Sequence, residues 1–144
     1  MERDLYFIAA KLLLRDGDKL LVTHDIFGDW DLPGGRIRMN EFETPIFDII
    51  ERKVQEELGT AVRYTLGKPV VTFRVERFEA TLQKKVHIFA VGYEATYRGG
   101  EIILGEHHDD MKWVDVTTYD PAADFTGGWL KGLQEYFENL DGDS

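Results

Sequence analysis

Apolar residues along the chain gather in short runs whose spacing switches between the period of a strand and that of a helix. Leu5 to Leu14 is rich in apolar side chains, breaks at Arg15-Asp16-Gly17-Asp18 and resumes over Lys19 to Thr23. Asp-Gly between two such runs is a hairpin signal, so two antiparallel strands are expected. Phe27 to Gly35 contains a proline and paired glycines and predicts a tight turn, where another backbone or a ligand comes close. From Thr44 the period lengthens. Threonine suits a helix N-cap and Pro45 the first helical position. Ile46, Phe47, Ile50, Val54 and Leu58 then form one apolar stripe, and Gly59 falls just past its end. Strand patterns return at Ala61 to Tyr64, Val70 to Val75 and Val86 to Tyr97, with Met111 to Val116 as a short last strand. Trp129, Leu130, Leu133, Tyr136, Phe137 and Leu140 recur at helical spacing and predict an amphipathic C-terminal helix. No internal repeat or low-complexity tract interrupts the pattern, so a single mixed α/β domain over residues 1–144 is expected.

Composition narrows the function classes. With 43% apolar and 31% charged residues the chain reads as globular. Its longest apolar runs fall far short of the roughly 20 residues of a membrane span. The N-terminus, Met1-Glu2-Arg3-Asp4, has mixed charge and no long apolar stretch behind it, which argues against a secretory signal. No cysteine is present, which removes disulfides and thiolate chemistry and fits a reducing cytoplasm. A net charge of −10 and no basic run exclude long nucleic acid as the expected partner. A small phosphate ligand received through metal ions remains compatible.

Arg52-Lys53-Val54-Gln55-Glu56-Glu57-Leu58-Gly59 carries the chemistry. Positions 52, 53, 56 and 57 project over one side of the predicted helix, beside the apolar stripe. Two glutamates so close repel each other. Bound Mg²⁺ supplies a reason for them, since it takes oxygen ligands from one or two carboxylates plus substrate phosphates. The bland alternative is a solvated face with Arg52–Glu56 and Lys53–Glu57 as ordinary i,i+4 pairs, which is what a charge run on a helix usually means.

Gly34-Gly35, Glu41, Arg52, Glu56, Glu57 and Gly59 together resemble the Nudix box: glycine, five residues, glutamate, seven residues, then Arg-Glu-apolar-x-Glu-Glu-x-Gly. Trp30 to Gly35 is similar to the usual entry to that box. The resemblance covers nearly the whole chain and implies a Nudix-type α/β/α sandwich with a mixed central sheet and two main helices. It also implies Mg²⁺, or Mn²⁺, held by Glu56, Glu57 and the Gly35 carbonyl, with Glu106 as a further candidate ligand and Arg52 orienting a glutamate. Two departures stand out. Ten residues separate Glu41 from Arg52 where the motif has seven, which leaves open whether Glu41 or Glu43 is its first glutamate. Lys53 replaces the glutamate after arginine, and fewer metals, or a base recruited from elsewhere, should follow.

Gly105-Glu106-His107-His108-Asp109-Asp110 precedes the last predicted strand, and a histidine beside carboxylates can be tuned as a base near neutral pH. A polar surface loop is the equally simple reading. Trp30 to Arg36, His87 before Gly92-Tyr93, and His108-Asp109-Asp110 before Trp113 are similar to the GDP-mannose mannosyl hydrolase subgroup. That similarity implies His108 as general base for attack at sugar carbon, and Arg36, Trp30 and His87 as substrate contacts; His87 equally suits a structural role. Retention of both Glu56 and Glu57, and Met111 in place of an expected tyrosine, depart from the subgroup. The resulting expectation is a cytoplasmic, metal-dependent hydrolase of a nucleoside diphosphate linked to another moiety, with nucleotide sugars favoured. The alternatives are a pyrophosphohydrolase of nucleoside triphosphates or dinucleotides, and a non-catalytic Nudix-like binding domain. The expected partner is a small nucleotide-type substrate, with no membrane; a homodimer is compatible with the sequence.

Overall fold

The computed structural model describes residues 1–142. The first strand, β1 (Tyr6–Asp16), turns at Gly17, which takes φ +59°, into β2 (Lys19–Asp25). Asp-Gly is therefore the hairpin turn its composition announced. Two short strands follow, β3 (Trp30–Asp31) and β4 (Gly34–Arg36), in a stretch where the sequence predicted only a turn. They borrow partners from longer strands: β3 pairs with the end of β2, and β4 lies antiparallel to β1 through Ala10↔Gly35. Helix α1 (Ile46–Leu58) is followed by β5 (Arg63–Glu79), β6 (Lys84–Gly99), β7 (His108–Asp115) and helix α2 (Gly127–Gly142).

The sheet is mixed. β1 runs parallel to β6, from Tyr6↔His87 to Arg15↔Thr96, while the β5–β6 and β2–β7 pairs are antiparallel. Strand alternation along β1 sends Ala10, Leu12 and Leu14 to one face and Ala9, Leu13 and the lysine between them to the other. The first face packs on Ile50, Val54 and Leu58 of α1, the second on Leu133 and Tyr136 of α2. Burying side chains of this size stabilises by about 1.5–3 kcal/mol each. An α/β/α sandwich results, as expected.

Three local expectations shift. The two strands foreseen at Ala61–Tyr64 and Val70–Val75 are one long β5, which crosses Gly67-Lys68-Pro69 through register shifts between Leu66 and Val71. The residue that caps α1 is Pro45 rather than Thr44. Phe47, placed on the apolar stripe, is instead 49% exposed and stacks on Tyr64, and Ile49 takes its place in the core. No helix among the described residues is long and apolar enough to cross a membrane.

Candidate active site

At 3.6 residues per turn, position 57 of α1 falls between positions 46 and 50, on the face that packs against the sheet. A carboxylate there must be satisfied locally. Glu57 is 6% exposed, and the Gly34 N–H donates to both of its oxygens at 3.3 Å. Gly34 has φ +127°, and a Cβ on it would meet the Ala10 carbonyl oxygen at 2.2 Å, so only glycine lets this turn lie on β1.

The turn has a second support. Lys11, in the middle of the apolar run of β1, is 5% exposed. Its ammonium donates to Asp31 at 3.2 Å, to the Leu32 carbonyl at 3.2 Å and to the Gly34 carbonyl at 3.4 Å. Burial raises the Glu57 pKa above the usual carboxylate range, against the opposing pull of Lys11 and Lys53.

The remaining carboxylates are held by cations. Glu41 accepts from Arg52 Nε at 2.9 Å and Nη2 at 2.8 Å, and from the Arg38 N–H at 2.8 Å. Those hydrogen bonds, Arg52 first, hold Glu41 below its ordinary pKa. Of the two candidates for the first motif glutamate, Glu41 is buried against Arg52 and Glu43 is exposed. Arg52 also donates to Glu56 at 3.2 Å. Burial alone would raise Glu56, but Arg52, Lys53 and Arg38 outweigh it and lower the pKa.

Lys53 Nζ lies 3.5 Å from Glu56 Oε2 and 4.0 Å from Glu57 Oε2, so the two carboxylates converge on one cation position. That donor set fits one divalent ion. It does not extend to a larger cluster: among the described residues no group of three or more His, Cys, Asp and Glu side chains converges to hold a metal. Glu106 does not join it; its side chain is 88% exposed and pairs with His107 at 3.5 Å.

His108 arrives from the opposite side. The chain after β6 closes the C-terminus of α1: the Ile103 N–H donates to the Leu58 carbonyl and the Gly105 N–H to the Glu57 carbonyl, at 2.9 and 3.1 Å. These are helix-end carbonyls that would otherwise lack partners. His108, the first residue of β7 rather than a loop residue, follows three positions later with its side chain 9% exposed and Nε2 3.9 Å from Glu57 Oε1. Its Nδ1 is buried with no hydrogen-bond partner among the described residues. Burial lowers the His108 pKa, and Asp31 and Asp25 oppose that shift without overcoming it. Asp109 and Asp110, the carboxylates beside it in sequence, bond elsewhere: Asp109 pairs with His24 Nδ1 at 2.6 Å and Asp110 accepts its neighbour Met111 N–H.

These groups open on a cleft of about 670 Å³ lined by Gly34, Lys53, Glu56, Glu57, His107 and His108 among others. A second lobe of about 360 Å³ is lined by Lys11, Trp30, Gly35 and Arg36. The lobes share Asp25, Asp29, Asp31, Gly34, Arg77, Thr126 and Trp129. Trp30 and Arg36 thus reach the cleft, Arg36 with a 2.7 Å bond to Glu79 and Trp30 under the Lys112 ammonium at 4.3 Å. His87 does not reach it: its ring is bonded to Asp4 and Glu76, and it lines two other hollows. Sequence reasoning missed Lys11, Asp31, Arg77 and Trp129. Only Lys11 carried a signal, as one charge inside an apolar strand.

The family model described as the NUDIX domain matches residues 5–132. No curated protein matches the chain in sequence. Among solved structures, a MutT protein from Methanosarcina mazei Go1 superposes with a TM-score of 0.73 at 20% identity, over 99% of this chain and 98% of that one. A UDP-X diphosphatase gives 0.67 at 12% identity, over 100% of this chain and 67% of the other. An ADP-ribose pyrophosphatase from Streptococcus suis 89-1591 gives 0.63 at 16% identity, over 94% and 92%.

Proposed function

Since the chain belongs to the NUDIX domain family, we propose that it is a divalent-metal-dependent hydrolase of a nucleoside diphosphate linked to another group, with nucleotide sugars as the preferred class. The observation that carries this reading is His108, a buried imidazole 3.9 Å from Glu57 in the cleft that also holds Glu56 and Lys53. A box lacking one glutamate needs a base from elsewhere, and a ring kept neutral by burial is ready to accept a proton at pH 7. The cleft's two joined lobes offer room for a nucleoside diphosphate and for the group attached to it. Two proteins of like fold are named for a nucleoside diphosphate joined to a further group.

Glu56 and Glu57 would hold one Mg²⁺ or Mn²⁺, with the Gly35 backbone beside it. An ion bound there would supply polarisation of the phosphate oxygens and offset charge developing on the leaving group. Arg52 holds Glu56 and is a positioning residue. His108 Nε2 takes the proton of the attacking water, which requires the ring's other proton on Nδ1. Water oxygen bonds to the sugar carbon, the bond from that carbon to the phosphate oxygen breaks, and the nucleoside diphosphate leaves. Arg36 and Trp30 line the second lobe, where the sugar would lie. The domain would act as a single unit in the cytoplasm.

A panel of nucleotide sugars, nucleoside triphosphates and dinucleotides, assayed with Mg²⁺, Mn²⁺ and a chelator, tests this reading. Metal-stimulated release of nucleoside diphosphate from a nucleotide sugar is expected. Turnover confined to triphosphates or dinucleotides contradicts it, and turnover of nothing leaves a binding domain.

A further inference from the structure

We propose that Lys53 is a built-in counter-ion, which occupies the cation position between Glu56 and Glu57 in the metal-free protein and must leave it when a divalent ion binds. This rests on the proposed function only in taking those two glutamates as the metal's ligands. The geometry is specific to this chain. Lys53 stands one helical turn before both glutamates and reaches them at 3.5 and 4.0 Å. Its stem lies across the Gly35 backbone, so that a Cβ on Gly35 would sit 2.7 Å from Lys53 Cε. Its side chain is only 23% exposed, a confined position for a lysine.

The other cations are differently placed. Arg52 is tied to Glu41 by two hydrogen bonds, and the Arg38 side chain is 56% exposed at the rim of Glu56. Among the described residues Lys53 is the cation that pairs with both carboxylates. An ammonium and a divalent ion at such distances repel, so a metal entering this position meets an occupant. Displacement does not expel the charge from the site, because Lys53 lines the cleft itself. The freed ammonium then faces the space where a diphosphate would lie, and pairing with it relieves the repulsion. Metal and substrate therefore favour each other's binding, a coupling that is reciprocal by linkage. The free protein, for its part, binds metal weakly.

Calorimetric titration of Mn²⁺ alone into the wild type, Lys53→Gln and Lys53→Arg tests the idea without relying on turnover. Removing the charge should tighten Mn²⁺ binding at least about tenfold, the scale of a contact-distance charge interaction near a protein surface. Lys53→Arg keeps the cation and should bind as weakly as the wild type. Thermal unfolding gives a second readout: Lys53→Gln should melt below the wild type without metal and recover more in millimolar Mg²⁺. The gain should vanish when Glu56→Gln and Glu57→Gln are added. Equal affinity in the wild type and Lys53→Gln, with metal-stimulated turnover present, overturns the counter-ion role and leaves the hydrolase reading standing. No Mn²⁺ binding in either protein, with turnover intact in chelator, overturns the metal-dependent reading and this inference together.

Discussion

Two carboxylates and one imidazole sit within reach of each other, and each is in a different electrostatic state. Burial lowers His108, while hydrogen bonds donated to carboxylate partners raise His24 and His87 above the ordinary value of 6.5. A proton-resolved titration of the four histidines should therefore show His108 below 6.5 and His24 and His87 above it. The signs for stability differ accordingly. For His108 the unfolded chain binds more protons between its lowered pKa and 6.5, so stability falls as pH drops through that window. For His24 and His87 the stabilisation is present below 6.5 and is lost as pH rises through their raised values. With His108 as the proposed general base, whose removal typically costs about 10²–10⁴ in rate, His108→Gln should show that loss in kcat with its fold unchanged by circular dichroism. Glu56→Gln and Glu57→Gln should each lose most activity under limiting Mg²⁺; unchanged turnover in both would remove the site. The box residues were legible because their spacing is a local, helical property. The partner of His108 was not, since Asp109 crosses to His24 on β2 and Asp110 takes the Met111 N–H, and only the long-range approach of Glu57 decides which carboxylate the ring meets.

Helix α1 presents Glu56 and Glu57 because a glycine-rich segment is fastened to each of its sides. Gly34 lies against Glu57 from the sheet, and Gly105 sits on the helix's last turn, where a Cβ would come 2.0 Å from the Glu56 carbonyl oxygen. Gly105→Ala should push that segment off the helix end. Overpacking of this kind costs about 1–3 kcal/mol, measurable by denaturant unfolding, and kcat should fall as well because His108 is displaced. A Gly105→Ala protein with wild-type stability and rate would show that the capping contact does not place the base. From sequence, Gly105 was only a loop glycine. The hairpin at Gly17 and the stop at Gly59 were readable because turn and cap chemistry are local. Strands β3 and β4 were not, because two- and three-residue strands exist only through pairing with β2 and β1.

Across the whole molecule, two helices cover the faces of a mixed sheet, and the cleft opens between the β4 turn, the end of α1 and the start of α2. Periodicity reported both helices and strands β1, β2 and β6, but divided β5 in two. The cleft's far wall, with Arg77 and Trp129, comes from segments whose meeting no local pattern encodes. The acidic charge of −10 makes the cleft's cations the means by which an anionic substrate is received. As proposed, this cleft hydrolyses a nucleotide sugar with His108 as base and water attacking at sugar carbon. Hydrolysis in ¹⁸O-labelled water tests it most directly, by mass analysis of the products. Label is expected in the released sugar and none in the nucleoside diphosphate. Label confined to phosphate would contradict it and leave a hydrolase that attacks at phosphorus.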